Sequence, residues 1–150
     1  MAPLPPARRR PAAPTPLDVA AQILARAPRT EAELEERLVA RGYQRATAAA
    51  TVARCRELGY VGDEAYAGER ARSLRGRGWG SLRIAADLEA RGLPEALVSA
   101  AVDASRNDEP EIEWARRAAG RVTDARRAWR LLLTRGFPED VVAELVRGPE

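Results

Sequence analysis

Apolar residues return along this chain in a helical rhythm, and the rhythm itself is repeated. Aligning the chain with itself superimposes Arg41-Gly42-Tyr43, Arg91-Gly92-Leu93 and Arg135-Gly136-Phe137, at spacings of 50 and then 44 residues. Four residues before each glycine stands a leucine, Leu38, Leu88 or Leu132. Six residues after it come Ala48, Val98 and Val142, and ten after it Val52, Val102 and Val146, in phase on one helical face. A glycine just past a helix can take the left-handed conformation that closes the last carbonyls, and the residue after it then packs on the third residue from the helix end. The pairs required are Tyr43 with Leu38, Leu93 with Leu88 and Phe137 with Leu132, all apolar. Pro94 and Pro138 follow where a first helical position is expected. Each unit reads as helix, glycine turn, helix.

A further helix precedes each pair. Val19, Ala20, Ile23, Leu24 and Ala27 form a stripe from Asp18 to Pro28, and Thr30 with Glu33 makes a capping box for the next helix. Asp63 opens a helix bearing Tyr66, Ala67, Ala71 and Leu74 that stops at Gly76, Gly78 and Gly80. Asp108 with Glu111 predicts a cap for a helix bearing Ile112, Ala115 and Ala119. The expected fold is therefore all-α: nine helices in three tandem three-helix modules over 17–61, 62–106 and 107–147. Residues 1–16, with six of the eleven prolines and Arg8, Arg9 and Arg10, read as a disordered basic tail. A module of about 45 residues is near the lower limit for folding alone, so neighbours should stack and share apolar surface in a short array that can curve.

Composition narrows the chemistry more than it defines it. The chain has no histidine and one cysteine, Cys55, which excludes Ser-His and Cys-His nucleophile pairs, imidazole and thiolate metal sites, and any internal disulfide. Cys55 lies on the face shared by Ala48 and Val52 and reads as core. Acidic pairs such as Glu35 with Glu36 sit near helix starts, where carboxylates favour the helix dipole. Gly76, Gly78 and Gly80 follow no strand and precede no Gly-Lys-Ser/Thr, so they read as a helix break and not a phosphate cradle. We expect no catalysis, no cofactor and no metal. No stretch approaches the roughly 20 apolar residues of a membrane span, and a single cysteine suits a reducing cytoplasm.

The net charge is only +3, yet all 25 basic residues are arginine, and their positions are uneven. Residues 70–91 hold six arginines against two acids; residues 114–135 hold seven against Asp124 alone. In the first window Arg70, Arg72, Arg75, Arg77 and Arg83 surround the glycine break and Trp79. In the second, Arg116, Arg117, Arg121, Arg126, Arg127 and Arg130 lie near Trp114 and Trp129. Clustered arginine beside aromatics can neutralise phosphates and stack on bases, or pair with acidic patches of a protein. The alternative is that these are solvated faces with the tryptophans as core anchors, Trp79 being the exception because it sits in the break. The twelve named side chains, Trp79 included, are the candidate partner-binding or DNA-binding residues.

The run Leu58-Gly59-Tyr60-Val61-Gly62-Asp63-Glu64-Ala65-Tyr66-Ala67 resembles the signature of the RecX family, a Leu-Gly-Tyr, acidic, aromatic-Ala sequence. Arg77-Gly78-Trp79-Gly80 and Arg91-Gly92-Leu93 stand where that family has its Gly-aromatic-Gly and Arg-Gly-apolar elements. With Glu33 to Leu38 and Arg41-Gly42-Tyr43, the resemblance covers roughly residues 17–147. Gly62 stands where the family usually has an acid, and Ala65 replaces a larger residue. The resemblance implies a non-enzymatic modulator that enters the groove of the RecA–DNA filament, restrains its growth, and lowers RecA's ATPase, recombination and SOS activities; we expect a monomer whose partner is the RecA filament, and direct contact with single- or double-stranded DNA stays open. A stand-alone helical DNA-binding or transcription-regulatory protein stays open as the alternative, since helix-turn-helix units also pair short helices with basic residues.

Overall fold

The glycine turns organise the architecture. The structure, a computed structural model, describes residues 2–4 and 10–148, and the described residues form nine helices and no strand. Module 1 holds α1 (Pro16–Arg26), α2 (Glu31–Ala40) and α3 (Arg45–Glu57); module 2 holds α4 (Asp63–Gly76), α5 (Ser81–Ala90) and α6 (Glu95–Ser105); module 3 holds α7 (Glu111–Ala119), α8 (Ala125–Thr134) and α9 (Glu139–Arg147). Each module closes its own apolar cluster. Ile23, Leu34, Leu38, Val52 and Cys55 centre the first. Leu74, Ile84, Leu88, Leu93 and Val98 centre the second. Ala115, Leu132, Phe137 and Val142 centre the third. We propose module boundaries at 61/62 and 106/107 on this clustering. No helix among the described residues is long and apolar enough to cross a membrane.

The repeated Arg-Gly-apolar triplet makes the turn its composition predicts. Gly42, Gly92 and Gly136 have φ of 99°, 80° and 85°. The amides of Tyr43, Leu93 and Phe137 donate back to the carbonyls of Leu38, Leu88 and Leu132 at 3.3, 3.4 and 3.1 Å. A β-branched residue at such a φ is strained, and a Cβ on Gly92 would also lie 2.6 Å from that of Ala32 in module 1. Gly92→Val is therefore expected to destabilise by about 1–3 kcal/mol; an unchanged melting midpoint would contradict this account of the turn.

Helix starts agree with the sequence in part. Thr30 and Glu33 form the expected capping box. The first helix starts at Pro16, two residues before Asp18, because Thr15 is the cap and Asp18 is its capping-box partner. Pro94 and Pro138 are caps and not first helical residues. The expected Asp108–Glu111 box is not formed. Pro110 is the N-cap, Asn107 and Asp108 turn with φ of 51° and 61°, and the helix begins only at Glu111. Glu111 is thereby released for another task. Cys55 is buried in the first core, and desolvation pushes its thiol up, as expected of a core residue. Of the expected disordered tail, Met1 and residues 5–9 lie outside the described residues.

Candidate partner-binding surface

The first basic window does not form one surface. α4 buries Ala67 and Ala71, and the next step of four residues brings Arg75 onto the same stripe. Arg75 is 1% exposed, so the expectation that it contacts a partner is corrected: it is a structural residue. Its guanidinium donates to Glu111 Oε1 and Oε2 at 3.0 and 3.2 Å, to Ser81 Oγ at 2.9 Å and to Ser105 Oγ at 3.3 Å. It also lies 5.4 Å from the centroid of the Trp114 ring. The arginine is enclosed because every one of its faces has an acceptor or a π surface.

Arg70 is also held by the fold. Its Nε and Nη2 each reach Asp87 at 2.9 Å, and Arg91 Nε reaches the same carboxylate at 3.1 Å while its Nη1 donates to the Tyr66 hydroxyl at 3.0 Å. The bonds from Arg70, and after them those from Arg91, outweigh burial and hold the Asp87 carboxyl below the usual aspartate range. A carboxylate with a lowered folded-state pKa contributes stability above its unfolded pKa and loses it as pH falls through the folded value. Asp87→Asn is thus expected to cost about 1–2 kcal/mol at neutral pH, with the difference from wild type vanishing below the ordinary aspartate range. Urea unfolding at pH 7 and at pH 3 checks this; a difference independent of pH would contradict it.

What remains exposed in this window is Arg72, Arg77 and Arg83. Arg72 reaches Glu69 at 3.1 Å across an exposed helix face. Arg83 lies over Trp79, 3.7 Å from the ring centroid, so the tryptophan expected to be free for stacking is covered by its own chain. Trp79 is half-buried against the second core.

In the second window Arg116 pairs with Glu113 at 3.1 Å. Arg117 pairs with Glu109 and lies 4.4 Å from the centroid of Trp114, an exposed counterpart to the buried Arg75 at the same ring. Trp114 and Trp129 both pack against the third core, Trp129 at the edge of a shallow groove with Ala125, Arg126 and Val146. Arg121, Arg126, Arg127 and Arg130 are different. All four are exposed, and none has a carboxylate within ion-pair distance among the described residues.

Arg121 precedes α8, Arg126 and Arg127 lie in its first turn, and Arg130 follows one turn on. Ala128 and Leu132 face the core, while Arg126 and Arg130, four residues apart, and Arg127 lie outward. Asp124 accepts from the Arg127 amide at 2.8 Å and starts the helix. α2, α4, α7 and α9 each carry two acids in the first turn, where the helix dipole favours negative charge. α8 has none there and places Arg126 and Arg127 instead. Cations in the first turn of a helix oppose its dipole, and apart from the Asp124 cap no carboxylate starts α8 to offset Arg126 and Arg127. Because Asp124 already caps the helix, it is the exposed guanidinium groups that offer donors to phosphate or carboxylate oxygens.

Among the described residues no group of three or more Cys, Asp or Glu side chains is placed to hold a metal ion.

Known proteins share this fold. A family model described as the first three-helix domain of RecX matches residues 17–55, and one described as the second matches residues 63–102. The regulatory protein RecX of Stenotrophomonas maltophilia strain K279a is 33% identical over 147 residues, covering 93% of this chain and 90% of the relative. The chain belongs to the RecX family. The regulatory protein RecX of Thermus thermophilus is 37% identical over 131 residues, covering 87% of this chain and 89% of the relative. The crystal structure of RecX from Lactobacillus salivarius superimposes with a TM-score of 0.78 at 19% identity, over 88% of this chain and 92% of that one, which shows the shared RecX fold. The matched first and second RecX domains fall within modules 1 and 2, and the nine-helix array is the RecX architecture.

Proposed function

We propose that this RecX-family chain is a non-enzymatic regulator that binds the RecA–DNA filament, restrains its growth and lowers its ATPase, recombination and SOS activities. The observation that carries the reading is the set of exposed arginines Arg121, Arg126, Arg127 and Arg130 before and along the first half of α8. Four exposed cations make no ion pair among the described residues, and two of them are set against the helix dipole, an arrangement that favours an anionic partner over a role in folding. A nucleoprotein filament offers both phosphate and carboxylate oxygens. Arg72, Arg77, Arg83, Arg116 and Arg117 are exposed and add to the contact surface. Arg70 and Arg75 act inside the fold, and Trp79 contributes through Arg83. Three linked modules present a surface longer than one recognition helix, which suits a partner that repeats along an axis.

The test follows ATP hydrolysis by RecA on single-stranded DNA as the purified chain is added. Hydrolysis is expected to fall as the chain approaches stoichiometry with RecA. Unchanged hydrolysis with filaments demonstrably assembled would overturn the reading.

A further inference from the structure

The two joints between modules share one design and differ in one respect. At each, the first amide of a module's second helix donates to the carboxylate that opens the next module: Glu31 to Asp63 Oδ1 at 2.9 Å, and Ser81 to Glu111 Oε1 at 2.9 Å. At each, the cap of that same helix donates to the arginine carbonyl of the next Arg-Gly turn: Thr30 Oγ1 to Arg91 at 2.7 Å, and the Gly80 amide to Arg135 at 2.7 Å. The Arg-Gly-apolar triplet thus closes its own helix and also receives the preceding module.

Around this common clasp the second joint is filled and the first is not. Between modules 2 and 3, Arg75 joins Glu111, Ser81 and Ser105 in one buried network. The Leu82 amide donates to Gly136 at 2.9 Å, and a Cβ on Gly80 would lie 2.4 Å from the Gly136 and Phe137 backbone. Fifty residues earlier, by the spacing of the repeat, Ala25 stands for Arg75, Cys55 for Ser105 and Glu31 for Ser81. Asp63, a shorter acid, stands for Glu111 with no arginine within ion-pair distance, and burial pushes its carboxyl up. The Glu31 carboxylate turns instead to Arg56 of its own module, at 2.6 Å. The side-chain ion pair that crosses this joint, Arg91 with Glu33 at 3.6 Å, is partly exposed. Gly92 packs closely on Ala32 across it. Grooves of about 580 and 450 Å³ flank the joint, the larger beside Arg29, Tyr60 and Tyr66 and the smaller beside Ala32 and Gly92.

We propose that modules 2 and 3 move as one rigid body, locked by Arg75, and that the joint between modules 1 and 2 is the hinge of the array. A buried, multiply bonded ion pair has one low-energy geometry, because any rotation strands a desolvated charge. The first joint is held by two hydrogen bonds, one of them from the buried Thr30, and by a partly exposed pair beside open grooves; with no buried guanidinium to strand, it tolerates rotation better than the second. The chain then meets a partner as two bodies, module 1 and modules 2 with 3, joined at Thr30, Asp63 and Arg91.

Distances between nitroxide labels test this in the full chain. With Cys55→Ala to leave no native thiol, one pair of labels on Ala49 and Ala100 spans the first joint and another on Ala100 and Glu144 spans the second; all three positions are exposed. The distribution across the first joint is expected to be about twofold broader than that across the second, as for a hinge beside a packed interface. Arg75→Met is expected to broaden the second and leave the first unchanged. The wild-type comparison stands even if that variant folds poorly. Equal widths across the two joints, or a folded Arg75→Met variant whose second distribution stays narrow, would overturn the proposal.

Discussion

Replacing Arg75 with Ala is expected to destabilise the chain by about 3–5 kcal/mol, the largest effect of any single arginine in it. The substitution removes a side chain that is 1% exposed and leaves Glu111, itself 8% exposed, as a carboxylate with only the Ser81 amide to satisfy it. A desolvated charge without a partner is among the few mechanisms that produce effects of this size. Measured against a total stability of about 5–15 kcal/mol for an ordinary domain, the loss brings unfolding close to working temperature. The cost belongs to breaking the pair and not to the pair's net worth. Arg75→Met combined with Glu111→Gln, which removes both charges while keeping volume and an acceptor for Ser81, should recover much of the loss. Urea unfolding of the three chains checks this, and a loss under about 1 kcal/mol for Arg75→Ala would mean that the site is as solvated as a surface pair.

Replacing Arg126, Arg127 and Arg130 together with Gln should do the opposite: leave folding nearly unchanged and weaken filament binding sharply. Glutamine keeps helix propensity close to that of arginine. None of the three side chains makes an ion pair among the described residues, and relieving cations at the start of α8 removes an unfavourable term. On the binding side, each phosphate contact contributes to the salt slope, so losing three should flatten the dependence by roughly 2–3 in log–log slope if all meet phosphate. Anisotropy titration onto RecA filaments at several salt concentrations, beside a melting curve of the same variant, separates the effects. Wild-type affinity and slope in a folded variant would move the contact surface elsewhere on the modules.

The arginines thus divide into two kinds, in a way the sequence displays only in part. The repeat was legible because a glycine at positive φ, a leucine four residues before it and valines after it are local requirements, each set by one turn of chain. Capping at Thr30 was legible for the same reason. The Asp108 cap was misread because Pro110 overrides a spacing that is otherwise correct. Charge windows are also local, but ion pairing is not: Arg70 with Asp87 spans 17 residues and Arg75 with Glu111 spans 36. A signal for Arg75 was present in its spacing of four from Ala71 and eight from Ala67, which puts a cation on an apolar stripe. Such a position asks for a buried acid elsewhere, and Glu111 could have been found by placing module 3 on the same repeat. For Arg126, Arg127 and Arg130 the sequence and the structure agree on exposure, because the apolar stripe of α8 runs through Ala128 and Leu132 and leaves these three off it. What these residues contact is written in a partner's surface and not in this chain.

The most direct measurement of the central claim is co-sedimentation of the purified chain with RecA filaments assembled on single-stranded DNA, beside the same DNA without RecA. The chain is expected to pellet with the filaments up to a stoichiometric limit and to associate far less with the naked strand at equal salt. A chain that stays in solution beside intact filaments, or binds the naked strand as well as the filament, would contradict filament regulation, the second result pointing to a stand-alone DNA-binding protein.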